Sequence, residues 1–155
     1  MLLRYCIAFC FSTLLTGCSY VYDLKAIVIG GRLAFIVSPS SLRGADCIRG
    51  IDVSADAEVR ATPAVGDDQK LVKNGSFWTQ TTVVEACLNP FPIIYGTSLR
   101  GEPFVHNGQP IGVVRAKPLQ VGVVYQVQTS SSGSGYGGGR FRILPNRHVE
   151  NLPLN

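Results

Sequence analysis

Tyr20-Val21-Tyr22-Asp23-Leu24-Lys25-Ala26-Ile27-Val28-Ile29-Gly30-Gly31-Arg32-Leu33-Ala34-Phe35-Ile36-Val37 is the stretch whose reading decides the fold class. It consists of two apolar runs, Tyr20–Ile29 and Arg32–Val37, split by Gly30-Gly31. A pair of glycines between two such runs marks a tight hairpin, because the two-residue turn that matches strand twist needs positive φ at its centre. The chain around it is rich in Val, Ile, Thr, Gly and Pro, with 15% charged residues. It has few long stretches of helical apolar spacing, and that combination favours strands.

Further strands come at short intervals. Ser38-Pro39-Ser40-Ser41 breaks the chain, and residues 47–55 then alternate, with Ile48, Ile51 and Val53 apolar, Arg49 and Asp52 polar, and a slip at Gly50 that reads as a bulge. Residues 63–73 read as a mobile loop, Asn74-Gly75 as a turn, and residues 76–84 as a strand anchored by Phe77-Trp78. Asn89-Pro90-Phe91-Pro92 stops it, residues 93–97 resume extended structure, and residues 100–110 form a turn-rich connection. Three more strands are expected at 111–117, 123–129 and 140–144, and the best place for a short amphipathic helix is near 83–88. Seven or eight strands at these spacings predict a single antiparallel β-sandwich, with a small closed β-barrel as the alternative.

The segment Leu119-Gln120-Val121-Gly122-Val123-Val124-Tyr125-Gln126-Val127 resembles the tyrosine corner of immunoglobulin-like and fibronectin-type domains. The resemblance implies that the Tyr125 hydroxyl bonds back to the backbone a few residues upstream. It also implies that Val127 takes a core position and that Trp78 is the core aromatic of a middle strand. The cysteines depart from that pattern, because Cys87 precedes the corner, so any bridge here differs from the antibody one.

At the N-terminus, Arg4 is succeeded by an apolar run at 5–15 and then by Leu15-Thr16-Gly17-Cys18. The run is too short to span a bilayer comfortably and reads as a secretory leader occupying residues 1–17. The order of apolar run, small residues and Cys resembles the signal peptides of bacterial lipoproteins. That resemblance implies cleavage before Cys18, lipidation of Cys18 and a membrane anchor for the single domain 18–155. In enteric members of that family an Asp after the lipidated Cys favours retention in the inner membrane. Ser19 stands there in this chain, which points to the outer membrane and a periplasm-facing domain.

With Cys6 and Cys10 in the leader and Cys18 lipidated, Cys47 and Cys87 remain. In an oxidising compartment this pair is expected to form a disulfide; closing a loop of about 40 residues would stabilise the fold by about 4 kcal/mol on the chain-entropy view. Two free thiols or a metal site are the rival readings, but no Cys-x-x-Cys occurs and His106 and His148 lie far apart, so no metal or other cofactor is expected. The net charge of +4 is too mild and scattered for nucleic-acid binding, and the one basic cluster, Arg140, Arg142, Arg147 and His148, reads as a solvated strand face.

Gly133-Ser134-Gly135-Tyr136-Gly137-Gly138 has the spacing Gly-x-Gly-x-x-Gly, yet the next residues, Gly139-Arg140-Phe141-Arg142-Ile143, read as a strand rather than the helix a dinucleotide site needs. The tract is expected to be a flexible loop joining the last two strands. Ser134, Tyr136 and Arg140 are its candidate partner contacts, since Tyr and Arg on loops are frequent anchors in interfaces. Its Ser132-Gly133-Ser134-Gly135-Tyr136 core also resembles the Ser/Gly-rich loop of bacterial lysozyme-inhibitor lipoproteins, which implies, as an alternative function, inhibition of a cell-wall hydrolase through residues 130–140.

Catalytic motifs do not emerge. There is no Gly-x-Ser-x-Gly elbow, and His106 and His148 sit in expected surface turns. Asp67-Asp68 lacks the oxygen-ligand spacing of a calcium loop and, as neighbours on an extended chain, would point apart. The sequence therefore predicts a membrane-anchored periplasmic lipoprotein that acts as a non-catalytic binding, structural or assembly-accessory module with a possible envelope protein partner.

Overall fold

In the computed structural model, residues 19–56, 58–83 and 85–154 are described; the expected leader and Cys18 lie outside them. The expected hairpin forms as read: β1 (Tyr20–Ile29) and β2 (Arg32–Val37) pair antiparallel around Gly30 and Gly31, which take φ of +55° and +77°. Next come β3 (Gly50–Ala55), a short helix α1 (Gln69–Lys73), β4 (Ser76–Val83) and β5 (Ile93–Ile94). The two-residue strands β6 (Glu102–Pro103), β7 (Val105–His106) and β8 (Gln109–Pro110) come after them. The long β9 (Val124–Ser131), β10 (Gly135–Ile143) and the shorter β11 (Val149–Leu152) complete the order.

Among the described residues nine strands form one sheet, in the order β5-β2-β1-β10-β9-β3-β4-β6 with β11 also on β10. The all-β class holds. The purely antiparallel arrangement does not, because the first half of β1 runs parallel to β10, with Tyr20 opposite Gly135 and Asp23 opposite Gly138. The sheet is therefore mixed, and it curls into a half-barrel. Tyr95, just past β5 at one margin, packs edge-on against Trp78 of β4 near the other margin, with ring centroids 5.2 Å apart. Its hydroxyl donates to the carbonyl of Lys117 at 2.8 Å.

The parallel pair exists because of the glycines in β10. Gly135, Gly137 and Gly139 alternate on its inward face, where the pleat places every second residue. A Cβ on Gly135 would lie 2.5 Å from the Tyr20 ring, one on Gly137 2.4 Å from the Tyr22 ring, and one on Gly139 2.6 Å from the carbonyl oxygen of Leu24. The tract expected to be a flexible loop is thus mostly strand, and only residues 132–134 form the turn into it. Its low side-chain volume, which reads as flexibility in a one-dimensional sequence, serves here to admit two tyrosine rings.

Aromatic rings link the strands through the interior. Phe35 of β2 meets Phe141 of β10 at 5.4 Å, Phe141 stacks on Tyr125 of β9 at 5.7 Å, and Tyr125 meets Phe77 of β4 edge-on at 5.1 Å. Val53 pairs with Trp78 while Ser54 pairs with Ser76, so Phe77 is the extra residue of a bulge. The bulge turns consecutive aromatics to the same side, and Phe77 and Trp78 are both buried. The tyrosine corner forms as its resemblance implied: the Tyr125 hydroxyl accepts from the backbone N–H of Gln120 at 2.9 Å, and Val127 is buried.

Several expected elements differ. Residues 111–117 form no strand; they run along the edge of β4 as an irregular segment, exchanging backbone bonds between Val114 and Thr79, with Gly112 at φ +65° breaking the extension. The expected mobile loop 63–73 contains α1, capped by Asp68, whose carboxylate accepts from the backbone N–H groups of Lys70 and Leu71. Residues 83 and 85–88 are not helical. β11 has no counterpart among the expected strands, and it covers the outer half of β10 where β1 has diverged toward β2. At that fork the Asn151 side chain stands in for a strand residue, accepting from Ala26 N–H at 2.7 Å and donating to Ala26 C=O at 2.9 Å.

Gly137→Ala is expected to lose about 1–3 kcal/mol of unfolding free energy through overpacking. Gly138→Ala, whose Cβ would meet only Leu154 at 3.8 Å, is expected to be neutral or slightly stabilising. Urea unfolding of the two variants side by side checks the assignment, and equal losses would contradict it.

Candidate functional site

The outward face of β4, β3, β9 and β10 is built from the residues that alternate with the core set. The register aligns Thr81 with Gly50, Gly50 with Ser130, Ser130 with Tyr136 and Tyr136 with Val21, giving one row across five strands. The next row runs from Thr79 through Asp52 and Gln128 to Gly138. Gly50 lowers the floor between them, since a Cβ there would press on the Ser130 hydroxyl at 2.8 Å and that of Thr81 at 3.1 Å. The result is a shallow polar depression of about 190 Å³, bordered at one end by Tyr136.

Asp52 is the charged group of this floor. One of its oxygens accepts from the Thr79 hydroxyl at 2.6 Å and from the Ser76 hydroxyl at 3.0 Å. Hydrogen bonds of this kind fix the orientation of the side chain. Further along the same face Asp56 accepts from the Gln126 amide at 2.9 Å and from the Arg140 guanidinium at 2.5 Å. Arg140 also donates to the carbonyl of Pro153 at 3.1 Å.

The candidate contact residues are thereby separated. Ser134 lies in the turn, at φ +61°. Tyr136 points outward and is 53% exposed. Arg140 shares that face but sits four residues further, about 13 Å along the strand, and is tied to Asp56 and Pro153. The basic cluster disperses likewise, with Arg142 paired to Glu150 and Arg147 in a turn at φ +61°. Residues 130–140 are two strand segments and a three-residue turn, so they do not make the flexible loop expected from the sequence.

Cys47 and Cys87 form a disulfide with Cα atoms 5.5 Å apart. Next to it, buried Asn89 repeats the device of Asn151: its side chain donates to Arg100 C=O at 2.9 Å and accepts from Arg100 N–H at 2.6 Å. His106 and His148 are both exposed, the former at the tip of the β7–β8 hairpin. Among the described residues no three His, Cys, Asp or Glu side chains gather to hold a metal ion, and no helix is long and apolar enough to cross a membrane. The β7–β8 hairpin lies where only a turn-rich connection is expected, although Asn107-Gly108, at φ +50° and +75°, is the strongest short sequence signal for one.

Asp67 is the acidic group most deeply engaged in structure, its side chain shielded from solvent. Burial alone pushes its carboxyl upward, but the bond and charge of Lys117 and the backbone N–H groups of Arg115 and Ala64 outweigh it and hold the group below its ordinary 3.8. The clasp fastens the segment before α1 to the edge segment beside β4. No family model matches this chain, and no curated protein or solved structure matches it either.

A folded-state pKa below the unfolded one stabilises the fold at pH values above the unfolded pKa, and that stabilisation drains as pH falls through the folded one. Asp67→Asn is therefore expected to lower stability at neutral pH and to flatten the loss of stability that the wild type shows below its ordinary carboxyl value of 3.8. Thermal melts of both proteins from neutral pH down into that range check it.

Proposed function

We propose that this chain is a lipid-anchored module of a bacterial envelope that works by non-catalytic binding, with Cys18 as the lipidated residue and the polar outward face of β4, β3, β9 and β10 as its contact surface. The observation that carries the reading is the polar floor of Thr81, Ser130, Gln128 and Asp52 around Gly50, set by the register of four hydrogen-bonded strands. Rigid polar platforms with one aromatic at the border suit a folded protein partner, since ordering costs little on either side. An outer-membrane, periplasm-facing location fits Ser19 after the lipidated position.

On the finer architecture, the Tyr125 corner supports an immunoglobulin-like sandwich, while the parallel β1–β10 pair and the curl of the sheet favour the small-barrel alternative. The hydrolase-inhibitor alternative would have to act through residues 132–134 and the exposed Tyr136 ring, and among the described residues no other surface feature favours it.

Cys18→Ser is expected to move the protein from the membrane to the soluble fraction; a variant that stays with membranes would refute the anchor. With the anchor intact, a photo-cross-linking residue at Gln128 is expected to capture one defined envelope protein in intact cells, and Ser130→Arg on the adjoining row is expected to abolish the capture. Equal capture from a cross-linker at Lys25, which lies outside this face, would remove the platform from the reading.

A further inference from the structure

Tyr20, the first residue of β1, comes two residues after Cys18, and two extended residues span at most about 7 Å. On the anchored-module reading, on which this inference rests, the acyl chains therefore enter the bilayer almost directly beneath the first turn of the sheet. No flexible tether holds the domain away from the lipid.

The end of the domain beside that point is defined by register. Tyr20 lies opposite Gly135, Gly135 opposite Ser131, Ser130 opposite Gly50, and the Tyr20 N–H donates to Ser134 C=O at 3.2 Å. The Gly30-Gly31 turn is at the other end of β1, about 30 Å away at strand rise. Three large exposed side chains lie on the half of the domain nearer that end. Val21 is 77% exposed and pairs with Tyr136 on the outward face. Leu42 is fully exposed, and its neighbour Ser41 accepts from Asp23 N–H at 2.9 Å, which holds that loop against the first half of β1.

We propose that this end seats on the bilayer, with Val21 and Leu42 entering the boundary between headgroups and acyl chains and Tyr136 lying at headgroup level. Aliphatic side chains gain from burial at that depth, and tyrosine is enriched there because its ring is apolar and its hydroxyl stays hydrated. The lipid surface is thus the partner of the Tyr136 end of the platform. A protein partner is left with the floor around Gln128 and Asp52 and with the Arg140 end. The sheet then stands upright, with its β1–β2 turn pointing away from the membrane.

The test uses the full lipidated chain, reconstituted in phosphatidylcholine vesicles with bromine on the acyl chains, and single variants Val21→Trp, Leu42→Trp, Tyr136→Trp and, at the far end, Val28→Trp. The native Trp78 is buried and supplies a constant background. All four positions are exposed, and urea unfolding verifies that each variant folds. Quenching at Val21→Trp and Leu42→Trp is expected to exceed that at Val28→Trp by roughly twofold or more, because contact with bromine requires insertion to the acyl boundary, with Tyr136→Trp at headgroup level falling between them. Native protein that floats with the vesicles while all four probes are quenched alike overturns the seating and leaves the anchor standing. Native protein that fails to float overturns anchor and seating together.

Discussion

The laying of Tyr20 and Tyr22 across the glycines of β10 is the contact on which the rest depends. Strands β1 and β10 come together in parallel only because Gly135 and Gly137 offer no Cβ to the two rings. The Tyr22 hydroxyl then reaches Thr129 of the next strand, sharing a buried hydrogen bond of 2.9 Å. Without that pair, the N-terminal half of β1 would be an open edge, with unpaired backbone groups and two large rings in water. The same pairing fixes where the chain enters the domain, and hence where an anchor at Cys18 would hold it.

Around this contact the half-barrel closes through aromatic packing and a few polar clasps. The rings of Phe35, Phe141, Tyr125 and Phe77 form a continuous path from β2 to β4. Where strand pairing stops, asparagine amides replace it, Asn151 at Ala26 and Asn89 at Arg100. Each pair satisfies one donor and one acceptor of the backbone, groups that are costly to leave unpaired when buried. The charged groups Asp67, Asp56, Arg140 and Arg142 are likewise held in pairs. The outward sheet face carries a row of hydroxyls and amides with the Asp52 carboxylate, bordered at one end by Tyr136.

Local features are legible from the chain where one short segment carries the whole physical requirement. Gly30-Gly31 demands positive φ, and the hairpin is there. Tyr125 and its upstream bond lie within six residues, and the corner is there. Cys47 and Cys87 come together as expected, although the sequence singles them out only on the expectation that Cys6, Cys10 and Cys18 are taken by leader and lipid. Where a residue's meaning depends on a distant neighbour, the sequence misleads. The glycines of β10 look like a linker until Tyr20 and Tyr22, more than a hundred positions earlier, are set against them. Residues 111–117 have the composition of a strand but run irregularly along the edge of β4, and Gly112 interrupts them. The polar outward face depends on the alternation of four strands at once, so Asp52 and Gly50 give no sign in the sequence of their place on it.

By itself the sequence determined the β class, the first hairpin and the corner at Tyr125. Each is set by strand-forming composition, backbone torsion or local hydrogen bonding. Only the tertiary structure decided that β1 lies parallel to β10 and that the sheet curls so that Tyr95 reaches Trp78. It alone decided that Ser130, Tyr136 and Gly50 share a face while Arg140 is drawn aside by Asp56. Strand register is a property of pairs of segments far apart in the chain, and it is fixed by which side chains fit against which, information that no single stretch contains.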